Sequence, residues 1–509
     1  MKGKKIVSTL LALLLLANLP VSALAADWDI GSGDITVNAG SGGQTVTQGS
    51  QVDVPDSAPV IKGSSTKNTV TINAEKDQTA NVTLSGATID VITEGKAAVS
   101  TTGEGNVSIE LDGDSTLKSG KGHAGLEKNN GGKLTIADED KNGKLTAEGG
   151  KYGAGIGGGK GAGSGITITG GEIKATGGQY GAGIGGGKGD GSDITISGGE
   201  VNATGGTSGA GIGGGYNGNG SDITITDGEV NATGGKYGAG IGGGEYGIGK
   251  DIIITGGEVN ATGGRFSAGI GGGSRGTGSD ITISGGEVNA SGGVNGAGIG
   301  GGLRSKGKDI TVSGDTKLKV QGGDEDHYDG AGAGIGDGGS NAYGTKILGA
   351  EVEPDTSGLT TGWIEYYAPG ADMEKDKPTS TTVGASSQPE KPTDPGAERG
   401  ADAPLYRVTD QDGKVIAHKA ERKDGVLTVT VDADFAILTG KLSSIDTLKR
   451  QGIEKIVFVT NKAASTFQAA DLLEKGASSD EYRLTHDGTT VTFVVSKKKT
   501  DVSGILIQP

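Results

Sequence analysis

The sequence predicts an all-β fold, a right-handed parallel β-helix in which each coil is about 28 to 29 residues long. Three observations predict it: a glycine-rich heptad recurs at a nearly fixed spacing, strand patterns precede each copy, and no Pro lies between Val60 and Glu353. A stretch without Pro suits an unbroken ladder of backbone hydrogen bonds. The chain has 105 Gly among 509 residues. Gly does not recur at every third position, however, so collagen is excluded.

The heptad Gly-Ala-Gly-Ile-Gly-Gly-Gly is the clearest repeat of the chain. Copies begin at Gly153, Gly181, Gly209, Gly238 and Gly296, and a variant begins at Ser267. Such a nearly constant spacing indicates the structural unit of a solenoid rather than low complexity. Glycines at the corners of such a unit suit a backbone with positive φ or a close approach between chains.

Each repeat also carries strand patterns. Apolar and polar residues alternate at Ile194-Thr195-Ile196 and again at Val201-Asn202-Ala203, with the period of a half-buried strand. A third strand of small residues is expected around Ile212. Identical patterns at a fixed period are satisfied if each strand pairs with its copy in the next repeat. The handedness of strand crossovers makes the resulting β-helix right-handed.

Stacking of the coils places equivalent residues above one another in columns. One predicted inward column is Ile166, Ile194, Ile223, Ile252, Ile281 and Ile310, and another is Ile173, Val201, Val230, Val259 and Val288. Such columns bury apolar area without a thick core. They account for a folded chain in which only 32% of the residues are hydrophobic.

Five regions are predicted along the chain. Residues 1–26 combine basic, apolar and small-residue stretches in the order of a secretory signal peptide. Residues 27–80 are expected to form an N-terminal cap, and residues 81–353 the β-helix. Residues 354–404 are rich in Pro, Ser, Thr and charged residues, which predicts an extended linker. Residues 405–509 have an ordinary composition and predict a small α+β domain.

Two helices are predicted in the α+β domain. Ser465-Thr-Phe-Gln468 resembles a capping box that opens a helix ending near Gly476. A shorter helix is expected from Ser444 to Gly452. The dipeptide Asp487-Gly488 lies between strand patterns and predicts a hairpin.

Composition excludes several kinds of partner and site. The chain has no Cys, which rules out disulfides and thiol nucleophiles. Its 46 basic and 62 acidic residues give a net charge of −16, which argues against nucleic acid as a partner. No second apolar run of spanning length follows the signal peptide, so no membrane insertion is expected after cleavage.

Two predicted outward columns consist of carboxylates. They are the Glu column, Glu172, Glu200, Glu229, Glu258 and Glu287, and the Asp column, Asp193, Asp222, Asp251, Asp280 and Asp309. Like charges about 4.8 Å apart repel, and Ca²⁺ would relieve the repulsion because it prefers several oxygen ligands. Screening by water, salt and nearby Lys is the alternative. The Asp column is the candidate calcium site, the Glu column is a candidate ligand face, and no other cofactor is predicted.

Two further series face outward. Tyr152, Tyr180, Tyr237 and Phe266 each stand directly before a copy of the heptad. Aromatic rings near carboxylates and amides suit sugar rings, and they equally suit the covering of a corner. Asn202, Asn231, Asn260 and Asn289 predict a ladder of amides that bond one another along the axis.

The repeat Ile-Thr-Ile-Ser-Gly-Gly-Glu-Val-Asn-Ala-Thr-Gly-Gly, followed by the heptad and preceded by a signal peptide, resembles the glycine-rich β-helical surface proteins of Gram-positive gut bacteria. The resemblance covers about residues 70 to 352. It implies a surface or secreted protein of adhesin-like or carbohydrate-binding character. No catalytic residue of those proteins matches a position of this chain.

The expected function is that of a secreted or cell-surface, non-enzymatic binding protein. Its repetitive face would bind a polysaccharide or a host or cell-surface glycan, because weak contacts to a periodic polymer add by multivalency. Calcium is expected to assist if the polymer is acidic. Two alternatives stay open: a polysaccharide lyase or hydrolase with Arg265, Arg275 or Arg304 beside carboxylates, and a passive surface spacer.

Overall fold

The structure is a computed structural model that describes residues 25–342, 345–384, 406–411, 416, 418–423, 425–450, 452–473, 480–495 and 498–499. Residues 1–24 of the predicted signal peptide and residues 385–404 of the predicted linker lie outside this part of the chain. The chain divides into two compact units. The first holds residues up to 382, apart from 313–315 and 356–362, and the second holds those two short segments with residues 383 onward.

The first unit is a parallel β-solenoid, which confirms the predicted all-β parallel β-helix. Each regular coil contributes a first strand of the Ile-Thr-Ile type, a second strand of the Glu-Val-Asn-Ala type and a short third strand inside the heptad. The first and second strands belong to a 21-stranded sheet, and the third strands belong to a 13-stranded sheet. Every strand of a regular coil therefore pairs with its copies in the coils before and after it.

The strand bounds follow the repeat closely. First strands are Asp27–Asp29, Val60–Lys62, Thr79–Ser85, Asn106–Asp112, Leu134–Ala137, Gly163–Ile168, Gly249–Ile254, Gly278–Ile283 and Gly307–Val312. Second strands are Ser64–Ser65, Thr88–Asp90, Asp114–Lys118, Lys144–Glu148, Glu172–Thr176, Glu258–Thr262, Glu287–Ser291, Lys317–Gln321 and Trp363–Tyr367. Ser380–Val383 belongs to the same sheet but lies beside Trp363–Tyr367 in the antiparallel sense, since the N–H of Thr379 donates to the carbonyl oxygen of Tyr366 and that of Gly384 to the carbonyl oxygen of Gly362. In two coils the first and second strands are continuous, at Gly191–Thr204 and Gly220–Thr233.

Third strands are shorter in the regular coils than in the early ones. They are Ile35–Gly40, Val70–Ala74, Val99–Gly103, Leu126–Lys128, Ile156–Gly157, Ile184–Gly185, Ile212–Gly213, Ile241–Gly242, Ile270–Gly271, Ile299–Gly300 and Ile335–Gly336. The same sheet ends in the antiparallel strands Gly43–Gln48 and Gln51–Pro55. Short 3₁₀ helices lie at Ile30–Ser32 and Ile92–Glu94, and a small hairpin joins Ser340–Ala342 to Thr345–Ile347.

The registers confirm the predicted inward columns. Ile194 pairs with Ile223, and Val201 pairs with Val230, each with its counterpart in the next coil. Every member of both columns is buried, and the exposed fraction of Ile310, the highest, is 3%. Apolar side chains therefore stack along the axis and exclude water from the inside of the coils.

The heptad is a tight inward bend in the backbone. The N–H of Ala210 donates to the carbonyl oxygen of Gly214 at 2.9 Å, and the same bond recurs in the other regular coils. Gly213 sits at φ 128°, which disfavours any residue with a Cβ. The bend brings the loops before and after the heptad together: the N–H of Tyr216 donates to the carbonyl oxygen of Tyr180 at 2.8 Å. These two loops from neighbouring coils form one surface ridge.

Close contact between coils is the second reason for the glycines. A Cβ built on Gly235 would overlap the backbone carbonyl oxygen of Gly206 in the preceding coil. Equivalent overlaps occur at Gly206 with Gly178 and at Gly264 with Gly235. The coils can therefore stack at this corner only where neither backbone carries a side chain.

Both ends of the solenoid are closed. At the start, the antiparallel strand Gly43–Gln48 lies against Ile35–Gly40 and covers its edge. At the other end, the Glu351 carboxylate accepts the N–H groups of Gly334 at 2.7 Å and Ile335 at 3.1 Å. In earlier coils these N–H groups bond carbonyls of the next coil, so Glu351 replaces a missing coil.

The solenoid also extends beyond its predicted limits. Val60–Lys62 pairs in parallel with Thr79–Ser85, so coils begin inside the predicted cap. Trp363–Tyr367 pairs in parallel with Lys317–Gln321, inside the segment predicted as linker. The sequence signal fades at both places because the terminal coils lack the regular heptad.

The second unit is a separate α+β fold. Its strands are Arg407–Thr409, Lys419–Lys423, Val426–Thr430, Phe435–Lys441, Lys455–Val459, Ala464–Gln468, Glu481–Asp487, Thr490–Val495 and Lys498–Lys499, and its helices are Leu442–Arg450 and Ala469–Leu473. The strands form a five-stranded and a four-stranded sheet. One buried cluster that includes Phe458, Phe467 and Tyr482 fills the unit. No helix in the described part of the chain is long and apolar enough to cross a membrane.

The predicted helix from Ser465 to Gly476 is wrong in its first half. Residues Ala464–Gln468 form a strand that pairs antiparallel with Lys455–Val459, and the helix Ala469–Leu473 follows it. Burial of Ser465 and Phe467 against the sheet outweighs the local capping signal. The predicted hairpin at Asp487-Gly488 is confirmed, since Glu481–Asp487 and Thr490–Val495 pair antiparallel across it.

The replacement Gly235→Ala is expected to lower the free energy of unfolding of the solenoid by about 1 to 3 kcal/mol, because the added methyl overlaps the neighbouring coil. Gly161→Ala is the matched control, since a Cβ there meets nothing within 4 Å. Chemical denaturation of both variants measures the difference. Equal stabilities would show that contact between coils does not require Gly at position 235.

Candidate functional site

The Glu column lies on the second strands and is exposed to solvent, except that Glu172 is half-buried. Register pairs Glu172 with Glu200, and the pairing continues coil by coil to Glu287. A Lys stands at each end. Lys144 forms an ion pair with Glu172, and the Lys317 ammonium lies 3.9 Å from the Glu287 carboxylate. The column is therefore a row of solvated carboxylates with a Lys ammonium at each end.

The Asn column forms the predicted amide ladder. Asn231 donates to Asn202 at 3.2 Å, Asn260 to Asn231 at 3.0 Å, and Asn289 to Asn260 at 2.8 Å. Two of these amides also donate to the Glu column, Asn202 to Glu200 and Asn231 to Glu229. The ladder joins consecutive coils through side chains and has a structural role.

The backbone conformation explains why Asp recurs in the Asp column, and the alternating strand pattern of the sequence does not reveal this conformation. All five Asp residues lie in the left-handed region, with φ between 49° and 55°. Gly165 takes the same place in its coil, at φ 68°. The Asp residues have no paired residue in the neighbouring strands, although the residues on both sides of them do. Each Asp therefore forms a bulge between the preceding Ser or Lys and the following inward Ile. Asp tolerates this conformation better than most residues, which accounts for its recurrence without a metal.

Carboxylates converge at a different place. The oxygens of Glu110, Asp138 and Asp140 lie within 4.8 Å of one another, and among the described residues this is the group that could hold a metal ion. Asp138 accepts the N–H groups of Asn142 and Gly143, both at 3.1 Å. Burial and the neighbouring carboxylates raise the pKa of Glu110. The Asp column does not bring its carboxylates together in this way.

The surface ridge beside the heptads carries the aromatic residues. Tyr152 and Tyr180 stack with ring centroids 5.3 Å apart, and Tyr237 and Phe266 stack at 6.1 Å. Tyr216 and Tyr246, which follow their heptads, extend the first series at 5.6 and 6.2 Å in edge-to-face contacts. All four aromatic residues predicted from the sequence therefore lie on the ridge, and it also holds two that the sequence analysis missed.

Cations accompany the rings along the whole ridge. The ring contacts are Lys121 and Lys151 over Tyr152, Lys151 over Tyr180, Lys188 over Tyr216, Lys236 over Tyr237, Arg265 over Phe266 and Arg275 over Tyr246. Distances from cation to ring centroid run from 4.7 to 5.9 Å, within the range of cation–π attraction. The charged partners of the aromatic series are thus cations on the ridge, whereas the Glu column lies on the second strands.

A groove of about 340 Å³ opens at one end of the ridge. Tyr237, Phe266 and Tyr246 line one part of it, and Tyr328 lines another. Tyr328 belongs to the insertion Asp324–Asp329, which interrupts the repeat. The exposed fractions of Tyr246 and Tyr328 are 47% and 67%, so both rings face solvent at the groove.

Two ion pairs fix the insertion against the ridge. Arg304 donates to both oxygens of Asp329, at 2.8 and 3.0 Å. Arg265 lies 3.7 Å from the Asp326 carboxylate. The hydrogen bond to Asp329 raises the pKa of the Arg304 guanidinium, so its positive charge is held. Burial alone would raise the pKa of Asp326, but the backbone N–H groups of Asp329 and Tyr328 and the nearby Arg265 bring it below its usual value.

The fold and the repeat together make this chain a β-helical repeat protein. The beta helix repeat matches six segments, residues 141–160, 166–188, 194–216, 223–245, 252–274 and 281–303. Five of the six aromatic residues of the ridge lie inside these segments, and Tyr246 falls between two of them. No curated protein and no solved structure matches the chain.

The backbone role of the Asp column gives a direct test at Asp280. Asp280→Gly is expected to keep the stability of the solenoid, whereas Asp280→Ala should lower the free energy of unfolding by about 1 kcal/mol, because Ala disfavours the left-handed region. Denaturation with Ca²⁺ and with a chelator measures both effects. A large calcium-dependent stabilisation that Asp280→Gly abolishes would instead assign this column to calcium.

Proposed function

We propose that this chain is an exported, non-enzymatic and adhesin-like binding protein that holds a polysaccharide along the ridge. The observation that carries the proposal is the continuous row of aromatic and cationic side chains that ends in the groove. Sugar rings present C–H faces that lie against aromatic rings and hydroxyls that bond charged groups. The ridge supplies both kinds of contact in successive coils.

Repetition supports a polymer rather than a small ligand. Coils follow one another about every 4.8 Å, which resembles the length of one sugar residue. A polymer can therefore engage several coils at once, and weak contacts then act as one multivalent site. Within the ridge, stacked pairs such as Tyr152 and Tyr180 cover part of each other's faces. The exposed rings of Tyr246 and Tyr328 at the groove are the strongest candidates for stacking on a sugar.

The hydrolase alternative needs a carboxylic acid that protonates the glycosidic oxygen, and the lyase alternative needs a group that removes a proton from the polymer. Among the Arg residues considered for that role, Arg304 is bound to Asp329 and keeps its charge, which makes it a poor base. The insertion Asp324–Asp329 is nevertheless the local break in repetition that such a site requires. A polysaccharide lyase or hydrolase is therefore the second candidate, and a passive spacer is the third.

Location and calcium belong to the same proposal. The signal-peptide pattern and the resemblance to surface proteins of Gram-positive gut bacteria favour export and display at the cell surface. The proposed partner of a protein displayed there is a glycan of the host or of another cell surface. Calcium is expected to contribute only if carboxylates such as Glu110, Asp138 and Asp140 hold it between protein and polymer.

Binding of residues 27–509 to neutral and acidic polysaccharides, with Ca²⁺ and with a chelator, tests this function. Saturable binding without new reducing or unsaturated ends is expected. Tyr328→Ala and Tyr246→Ala should each weaken binding about fivefold, because each removes about 1 kcal/mol of ring contact. Ile92→Ala is the matched control, since Ile92 is comparably exposed (51%) in an early coil.

Each other outcome selects an alternative. New chain ends would identify a lyase or hydrolase. Absence of binding to every polymer in both conditions would leave the spacer. Binding that is unaffected by both Tyr variants would place the polymer elsewhere on the coils.

A further inference from the structure

The groove contains more charged groups than a stacking site for a neutral sugar needs. Its acidic side chains are Glu245, Asp326 and Asp329, and its cations are Arg275 and Arg304. The hydrogen-bond partners of these groups decide which of them is free to bind a ligand.

Each carboxylate of the groove already has a donor from the protein. Glu245 accepts the Ser208 hydroxyl at 2.7 Å. Asp326 accepts the backbone N–H of Tyr328 at 2.9 Å and that of Asp329 at 2.7 Å. Both oxygens of Asp329 bind Arg304, and only 6% of its side chain is exposed. The acidic groups therefore shape the groove and are largely satisfied within it.

Arg275 differs from Arg304, the other cation of the groove, and from Arg265, which lies outside the groove lining. Arg304 is paired with Asp329 and Arg265 with Asp326, whereas Arg275 has no ion pair in the described part of the chain. Its guanidinium lies 5.9 Å from the centre of the Tyr246 ring and is exposed. The Tyr246 ring contacts one face of the guanidinium, and the N–H donors of the guanidinium stay free for a ligand.

We propose that the groove recognises an acidic sugar, with the anionic group on Arg275 and the sugar ring beside Tyr246 and Tyr328. This inference rests on the proposed function, since it names the class of polysaccharide that the ridge holds. A planar guanidinium pairs well with a carboxylate or a sulfate, because it offers parallel N–H donors.

The remainder of the ridge agrees with an acidic polymer. Lys121, Lys151, Lys188 and Lys236 lie over successive rings, although the whole chain carries a net charge of −16. The ridge thus gathers positive charge on a mostly acidic molecule, and a polyanion would meet it in coil after coil. Recognition then comes from Lys and Arg, and calcium is not needed as a bridge.

Polygalacturonate and its fully methyl-esterified form test this assignment, since they share a backbone and differ in charge. The variants are Arg275→Gln and Arg275→Lys in residues 27–509. Lys76→Gln, at an exposed cation of an early coil, is the control for net charge. Dextran sulfate separates a sulfate from a carboxylate, and a single-stranded oligonucleotide reports binding to any polyanion.

The wild-type protein is expected to bind polygalacturonate about 10- to 100-fold more tightly than the ester in the presence of chelator. Arg275→Gln should remove that preference, Arg275→Lys should keep part of it, and Lys76→Gln should leave it unchanged. Tighter binding of dextran sulfate with the same response to Arg275→Gln would support a sulfated sugar as the anionic ligand.

Two results would overturn the inference while the proposed function stands. One is equal binding of acid and ester, and the other is an acid preference that Arg275→Gln leaves intact. Tighter binding of the oligonucleotide than of either acidic polymer would also overturn it, in favour of a general polyanion site. Failure to bind any polymer would remove the proposed function as well.

Discussion

Direct backbone contact between consecutive coils, at the Gly-Gly pair just before each heptad, is the constraint on which the rest of the structure depends. Gly206, Gly235 and Gly264 each leave room only for the carbonyl oxygen of the coil before them. The inward bend at Ala210 and Gly214 then closes the third strand within its own coil. These contacts hold neighbouring coils in one register, and the inward Ile and Val columns become continuous because of it. A β-helix with so few large side chains is stabilised by repetition of one small contact.

The same register that stacks the core also aligns everything outside it. Some outward columns are explained by the fold itself, since the Asn column bonds along the axis and the Asp column occupies a left-handed bulge. The ridge is different. Its Tyr and Lys side chains are not required by the bend, because Ser208 and Asn295 replace the aromatic residue in two coils that keep the heptad. The aromatic and cationic residues of the ridge are not required by the backbone conformation, and they cluster on one surface. Such a cluster indicates a binding surface.

Periodicity made most of the solenoid predictable from the sequence. The features that lie where the repeat is interrupted could not be predicted in this way. The Ile columns and the amide ladder follow from equal spacing and alternation. Tyr216 and Tyr246 escaped prediction because only two post-heptad loops carry a Tyr, directly after the heptad in one coil and after Glu245 in the other. The groove depends on the insertion Asp324–Asp329, whose ion pairs with Arg265 and Arg304 no repeat could indicate. In the second unit, sheet pairing of Ala464–Gln468 overrode a local helix signal, as tertiary contacts commonly do.

Removal of one whole coil tests most directly whether coil register governs this structure. Deletion of positions 223–251 removes one full repeat and joins Asp222 to Ile252, so the pattern continues in phase. Deletion of positions 223–236 removes half a repeat and leaves the strands out of phase. We expect the full-repeat deletion to keep β-sheet circular dichroism and cooperative unfolding, and the half-repeat deletion to lose both. Equal loss of structure in the two variants would contradict the account.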